Sequence, residues 1–145
     1  MEPCLFCESV AGRLPQAVVY ADGEVMAFLD WRQTAPGHVL VIPRRHLSAQ
    51  QAMRSEVGAA LLRCAALVSE AVLRALEPDG LQLGAILANL RDTAETAEDG
   101  HFHLHILPRR HAGETARIYP FGDHVMPGAV LEDLAARIRS ALVPW

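Results

Sequence analysis

The amino-acid sequence predicts one α+β domain in which helices cover one side of an antiparallel β-sheet. Three observations support this fold class. Strand-like segments near the N-terminus are joined by short turns, which is typical of antiparallel hairpins. Only one long helical segment lies between strands, so a doubly wound parallel sheet is not expected. With 145 residues, 51% of them hydrophobic, the chain is long enough to bury a core as a single domain over residues 1–145.

The N-terminal half predicts one short helix and three strands. Residues 3–11 are expected to form a helix that carries the pair Cys4-x-x-Cys7, and Pro15 breaks it. Turns at residues 21–23 and 35–37 separate runs that are rich in apolar and β-branched residues. The predicted strands are residues 17–20, 25–30 and 38–43.

The C-terminal half predicts one long helix, two further strands and a final helix. Ser55 is suited to cap the long helix, which is expected to end near Glu77, before the turn-forming residues 78–80. Residues 81–89 and 101–108 are predicted strands, and the polar, acidic residues between them form a loop. An apolar stripe predicts a C-terminal amphipathic helix through Leu131, Leu134, Ala135, Ile138 and Leu142. The predicted domain therefore has about five strands, one long helix and a C-terminal helix.

Charge and composition exclude several classes of protein. The net charge of −4 offers no basic field for a nucleic-acid polymer, whereas a small phosphorylated ligand needs only a local site. No segment approaches 18 uninterrupted apolar residues, so no membrane span is expected. The N-terminus lacks the basic and apolar regions of a secretory signal. These features predict a cytoplasmic protein.

The three cysteines predict two different environments. In a cytosolic chain the spacing Cys4-x-x-Cys7 favours a metal or redox site over a structural disulfide. Cys64 lies on the apolar stripe of the long helix, where it is expected to be a buried small hydrophobic residue.

Residues 101–107, with the sequence HFHLHIL, are the most informative segment. Because side chains alternate along a strand, His101, His103 and His105 share one face, roughly 7 Å apart at about 3.3 Å rise per residue. The intervening apolar residues supply the other, buried face. Adjacent imidazoles repel each other when protonated, so neutral rings that act as nucleophile, general base or metal ligand are expected. The alternative is a solvent-facing polar strand that is rich in histidine.

This segment resembles the His-φ-His-φ-His-φ-φ signature of the histidine triad (HIT) family. Further blocks resemble the N-terminal half of that family in order and spacing, from about residue 4 to about residue 110, whereas residues 111–145 carry no such motif. These blocks are Cys4-Leu-Phe-Cys7, Gly12-Arg-Leu-Pro15, Val25-Met-Ala-Phe-Leu-Asp30 and Ala35-Pro-Gly-His-Val-Leu-Val-Ile-Pro-Arg-Arg-His46.

The resemblance implies a HIT-like fold and a mechanism. His103 would be the nucleophile that attacks the α-phosphorus of a nucleoside phosphoramidate or a dinucleoside polyphosphate, with a covalent nucleotidyl-histidine as intermediate. His105 would donate a hydrogen bond to phosphoryl oxygens or the leaving group. No metal is required for this chemistry. The implied partner is a small nucleotide, preferentially a purine.

The resemblance also implies substrate-binding residues. Asp30 would accept hydrogen bonds from the ribose hydroxyls, although a carboxylate that caps the turn before Trp31 is an alternative. Trp31 would stack on the base, or else belong to the core. Asn89 would contact the phosphate or the leaving-group side.

The loop before the first histidine departs from the family pattern. Where the family has glycines and neutral hydrogen-bond donors, this chain has Glu95-Thr96-Ala97-Glu98-Asp99-Gly100. Carboxylates here oppose an anionic ligand. Glu98 aligns with the position where the family has a hydroxyl side chain. Either the loop points away from the phosphate site, or Thr93 and Thr96 replace the missing donors, or the substrate is unusual. A nucleotide-binding or interaction protein with little turnover is therefore the alternative function.

The resemblance further implies a structural zinc site and a homodimer. Some family members bind zinc through residues that correspond to Cys4, Cys7, His46 and His101, and two thiolates with two imidazoles suit tetrahedral zinc. The alternatives are a reduced pair of core cysteines or an adventitious disulfide. Family members commonly pair through the long helix and the sheet edge.

Overall fold

A computed structural model describes residues 4–87, 100–109 and 125–144. These residues form a five-stranded antiparallel sheet with strand order β1-β2-β3-β5-β4, together with four helices. The α+β class with a five-stranded antiparallel sheet, a long helix and a C-terminal helix is confirmed. In chain order the elements are α1 (Leu5–Val10), β1 (Val18–Ala21), β2 (Val25–Leu29), β3 (Val39–Pro43), α2 (Ala49–Arg54), α3 (Glu56–Leu76), β4 (Gly80–Gly84), β5 (Leu104–Arg109) and α4 (Gly128–Ser140).

Helix α2 was not predicted from the sequence. It begins at a capping box, in which the Ser48 hydroxyl accepts from the Gln51 backbone N–H at 3.2 Å and the Gln51 side chain accepts from the Ser48 N–H at 2.9 Å. With six residues it is too short to show a helical period in the sequence. The predicted cap of the next helix is confirmed, because the Ser55 side chain accepts from the Val57 N–H.

Strands β4 and β5 are shorter than the sequence predicted. Strand β5 begins at Leu104 rather than His101, because the preceding segment bonds elsewhere: the Phe102 N–H donates to the Leu47 carbonyl at 2.7 Å. Strand β4 ends at Gly84, which pairs with His105, so its ladder stops near the start of β5. Asn89, at the end of the predicted strand, lies outside the described residues.

The sheet is covered on both faces. Long helix α3 and helix α4 pack on one face, against Val25, Ala27, Leu29, Val39 and Val41. The alternate residues of β2 and β3 face the other way and form a second cluster with Phe6 of α1. Helix α1 is therefore an exception to the expectation that helices lie on one side only. The members of this second cluster are Phe6, Met26, Phe28, Leu40 and Ile42.

Helices α3 and α4 bury most of the residues of their predicted apolar stripes. Cys64 is 3% exposed, which confirms the predicted small buried residue, and burial raises the pKa of its thiol to about 12. The predicted stripe of α4 is buried at Leu131, Leu134, Ala135 and Ile138. Leu142, which was also predicted to belong to it, lies beyond the end of the helix at Ser140 and is only partly buried. None of the helices in the described ranges combines the length and apolarity needed to cross a membrane.

Candidate active site and metal site

The three histidines of the triad are buried on the α1 face of the sheet. Their exposed fractions are 0% for His101, 5% for His103 and 3% for His105. The intervening Phe102, Leu104 and Ile106 belong to the core on the opposite face, so the predicted alternation is confirmed. The alternative of a solvent-facing polar strand is wrong, because Phe6 and its neighbours cover this face.

The backbone sets the tautomer of His103. Its Nδ1 lies 3.0 Å from the carbonyl oxygen of His101, and a carbonyl can only accept. The Nδ1 atom therefore carries the proton, which leaves the lone pair of a neutral ring on Nε2. A nucleophilic imidazole needs such an unprotonated nitrogen.

His105 is joined to a histidine that sequence reasoning did not select. Nε2 of His38 lies 2.9 Å from Nδ1 of His105, and the same nitrogen lies 3.8 Å from Oδ2 of Asp30. His38 is 1% exposed. The available signal was its place directly before β3, the strand that pairs with β5 so that Leu40 lies opposite His105.

A short loop between β2 and β3 positions both Asp30 and His38. The buried side chain of Gln33 donates to the carbonyls of Asp30 and His38 and accepts from the N–H groups of Gly37 and His38. Gly37 has φ +100°, and a Cβ there would meet the Leu76 side chain at 2.6 Å, so the turn requires glycine. The predicted turn at residues 35–37 thus delivers His38 into the site.

A cavity of about 220 Å³ lies beside these residues. Its lining combines apolar side chains with Asp30, His103 and His105. Trp31 also lines it and is 41% exposed, so the alternative that Trp31 belongs to the core is wrong. The Asp30 carboxylate does cap the following turn, accepting from the Arg32 N–H at 3.1 Å, and it also lines the cavity. Thr96 and Glu98 lie outside the described residues.

Burial disfavours the protonated form of His105 and His38. It lowers the pKa of His105 to about 3, helped by the proximity of His103 and His38. Burial also lowers the pKa of His38, although the Asp30 carboxylate opposes that shift. Both shifts favour the uncharged ring at neutral pH, and for His105 this agrees with the sequence-based expectation.

These pKa shifts predict that stability falls with acidity. In the unfolded chain the histidine pKa is near 6.5, so between pH 6.5 and pH 3 the unfolded chain binds a proton that the buried His105 of the folded chain does not bind. The free energy of unfolding is therefore highest above pH 6.5 and decreases as the pH falls toward 3. For His105 alone the free energy of unfolding should fall by roughly 2 kcal/mol between pH 7 and pH 5. Urea unfolding at both pH values should show a smaller fall for His105→Asn than for the unaltered chain. Equal falls in the two proteins would contradict the assignment.

The four residues of the implied zinc set lie together. Their candidate ligand atoms all fall within 4.8 Å of one another. Nδ1 of His101 is 3.4 Å from the Cys4 sulfur, and Nδ1 of His46 is 3.3 Å from the Cys7 sulfur. A tetrahedral zinc ion with ordinary bond lengths holds sulfur and nitrogen ligands about 3.5 Å apart. The cluster can therefore bind zinc.

The second nitrogen of His101 supports the same conclusion. Its Nε2 lies 2.8 Å from the Pro43 carbonyl, to which it must donate, so the lone pair is on Nδ1 toward the cysteines. Zinc-binding histidines usually make such a bond with their other nitrogen. The sulfur atoms of Cys4 and Cys7 are free thiols, so the disulfide alternative is not the state observed.

Comparison with known proteins agrees with this geometry. The model of the HIT domain matches residues 11–112. "Protein hit" of Bacillus subtilis is 35% identical over 115 residues, which is 78% of this chain and 75% of that protein. Adenylylsulfatase HINT3 of Arabidopsis thaliana is 31% identical over 107 residues, 74% of this chain and 52% of that protein.

A solved structure extends the likeness to the whole fold. The crystal structure of a Zn-bound histidine triad family protein from Mycobacterium smegmatis superimposes with a TM-score of 0.70 at 26% identity. The match covers 95% of this chain and 91% of that one. With the triad, the sheet and the matched domain in agreement, this chain belongs to the histidine triad (HIT) family.

Proposed function

We propose that this protein is a nucleotide hydrolase or nucleotidyl transferase that acts at an α-phosphate through a covalent intermediate on His103. The observation that carries the proposal is the bond from Nδ1 of His103 to the His101 carbonyl, which leaves Nε2 as the basic nitrogen of a ring that lines the cavity. The substrate class is a nucleoside phosphoramidate or a dinucleoside polyphosphate.

The reaction proceeds by two displacements. The Nε2 lone pair of His103 forms a bond to the α-phosphorus, and the bond from phosphorus to the leaving group breaks. The leaving group departs with that electron pair and is protonated by water. Water, or another acceptor, then attacks phosphorus; the P–N bond breaks, its electrons return to Nε2, and the acceptor's proton passes to solvent.

His105 and His38 stabilise charge on the phosphoryl group in this scheme. If the Nε2–H of His38 donates to Nδ1 of His105, the neutral His105 ring carries its proton on Nε2. Oriented in this way, His105 donates a hydrogen bond to the phosphoryl oxygens or the leaving group, where charge redistributes in the transition state. The nearby Asp30 carboxylate favours a proton on the His38 nitrogen that faces it.

Asp30 and Trp31 are proposed to hold the nucleoside. Both line the cavity, with the carboxylate near the triad and the half-exposed indole suited to stack on a purine. The name of the Arabidopsis relative, an adenylylsulfatase, supports a nucleotide substrate. The roles of Asn89, Thr96 and Glu98 stay predictions.

The ribose contact yields a measurable discrimination. A 2′,3′-dideoxy analogue should bind more weakly than the ribonucleotide, because one lost charge-assisted hydrogen bond costs roughly 1.5–3 kcal/mol, or about 10- to 150-fold in Kd. Calorimetric titration of both ligands measures the difference, and Asp30→Asn should reduce it. Equal affinity of the unaltered protein for the two sugars would remove the assignment.

We also propose a structural zinc ion and a homodimer. Zinc held by Cys4, Cys7, His46 and His101 would pin the N-terminal segment to the sheet, and it would not supply the attacking water. The dimer is supported by exposed leucines on α3 and β4, namely Leu62, Leu73 and Leu83. Strand β4 also lies at one edge of the sheet that the described residues form.

The proposal is tested by intact-mass spectrometry after brief incubation with a panel of nucleotides. A nucleotidyl adduct that is absent from a His103 variant would identify both the reaction class and the residue. Thermal stabilisation by a nucleotide, with neither adduct nor product, would instead establish the alternative of a binding protein with little turnover.

A further inference from the structure

We propose that helix α1 is a metal-held wall of the active site, and that Phe6 is the positioning residue through which the metal set controls His103. This inference rests on the proposed nucleophile and the proposed zinc ion. It assigns to the metal an effect on catalysis, although the metal touches neither the substrate nor the reacting atoms.

Phe6 lies between the two sites in sequence and in space. It is enclosed by the cysteine pair in Cys4-Leu-Phe-Cys7 and is 5% exposed. Its ring centroid is 5.0 Å from that of His103 and 5.6 Å from that of His101. Phe6 also lines the cavity beside the triad. A shift of the helix that carries Phe6 therefore removes the contact of Phe6 with the His103 ring and changes the shape of the cavity.

Apart from the packing of Phe6 and Val10 in the second apolar cluster, few contacts hold helix α1 in place. It has six residues, far fewer than an isolated helix needs, and its N-cap makes no side-chain hydrogen bond. The ion pair between Glu8 and Arg13 is on the surface and contributes little. A bond from Gln16 to the Ser9 hydroxyl ties the C-terminal end of the helix. At the N-terminal end, a metal bound by Cys4 and Cys7 would join the helix to His46 and His101.

His101 provides a second connection. Its Nδ1 belongs to the metal set, whereas its carbonyl accepts the Nδ1–H of His103 that fixes the nucleophile's tautomer. Loss of the metal thus leaves the His101 ring held only by its bond to the Pro43 carbonyl. It also removes the metal bonds that hold the helix carrying Phe6. Both changes act on His103, and a displacement near 1 Å can cost about a hundredfold in rate.

A double-mutant cycle tests the coupling. The four proteins are the unaltered chain, Phe6→Ala, Cys7→Ser and the double variant, each assayed for zinc content, thermal midpoint, kcat and KM with an adenosine phosphoramidate. Cys7→Ser should lose zinc and lower kcat/KM by about ten- to a hundredfold. Phe6→Ala should retain zinc and show a similar loss, and the double variant should be little worse than Cys7→Ser alone.

Two further variants provide controls. Val10→Ala alters another apolar residue of α1 that packs in the same cluster, and it should keep both zinc and activity. Phe6→Leu preserves most of the packed volume and should give an intermediate loss if Phe6→Ala folds poorly. Losses that multiply in the double variant, or full activity in a zinc-free Cys7→Ser protein, would overturn the inference.

A readout without turnover separates this inference from the proposed function. Nitrogen NMR of His103 reports its tautomer, which should be uniform in the zinc-loaded protein and altered in Cys7→Ser. If no substrate is turned over and no adduct forms, the proposed function fails, yet the His103 signal still tests the coupling. An identical His103 signal in both proteins would refute the coupling even in an active enzyme.

Discussion

Replacement of His103 by alanine is expected to abolish formation of the nucleotidyl adduct and to lower kcat by at least about a thousandfold. The reason is that Nε2 of His103 supplies the electron pair for the new bond to phosphorus, and the hydrogen bond to the His101 carbonyl prepares that nitrogen. Hydrolysis of an adenosine phosphoramidate and intact-mass spectrometry measure the two effects.

The control for this variant is a test that the protein still folds. Because the His103 side chain is buried, alanine removes packing, and His103→Asn, which keeps more volume, should be equally inactive. Thermal unfolding should show that both variants retain a cooperative transition. Near-normal kcat in a folded variant would assign the nucleophile elsewhere.

Protein purified without added metal is expected to contain one zinc ion per chain. The four candidate ligand atoms lie within 4.8 Å of one another in the folded chain, and an ion that binds the folded chain selectively stabilises that state. At a free zinc concentration a thousand times Kd this stabilisation is about 4 kcal/mol, which corresponds to about 10 °C in Tm for a chain of this size. Elemental analysis and thermal unfolding with and without a chelator measure both quantities.

The third cysteine offers a matched control for zinc binding. Cys64 is buried in α3 and lies outside the metal set, so Cys64→Ser should retain zinc whereas Cys7→Ser should lose it. A stoichiometry near zero in the unaltered protein, with the thiols of Cys4 and Cys7 freely titratable, would contradict the site.

Much of the fold was predictable because local patterns and tertiary packing agree. The period of two in residues 101–107 assigned the faces of the triad correctly, and the stripe through Leu131 and Ile138 identified α4. Helix α2 was not predicted because its six residues are too few to show a helical period, although its capping pair, Ser48 and Gln51, was visible in the sequence. The starts and ends of β4 and β5 depend on partners distant in the chain, which no local pattern contains.

The sequence by itself determined the residue types and their spacing: three alternating histidines, a Cys-x-x-Cys pair and an acid at the end of a strand. Only the tertiary structure decided which of these groups touch. The pairing of β3 with β5 brings His38 to His105, and the packing of α1 on the far face of the sheet brings Phe6 between the metal set and His103. Such contacts join residues tens of positions apart, and burial then shifts the pKa values, so neither the contacts nor the charge states follow from local sequence alone.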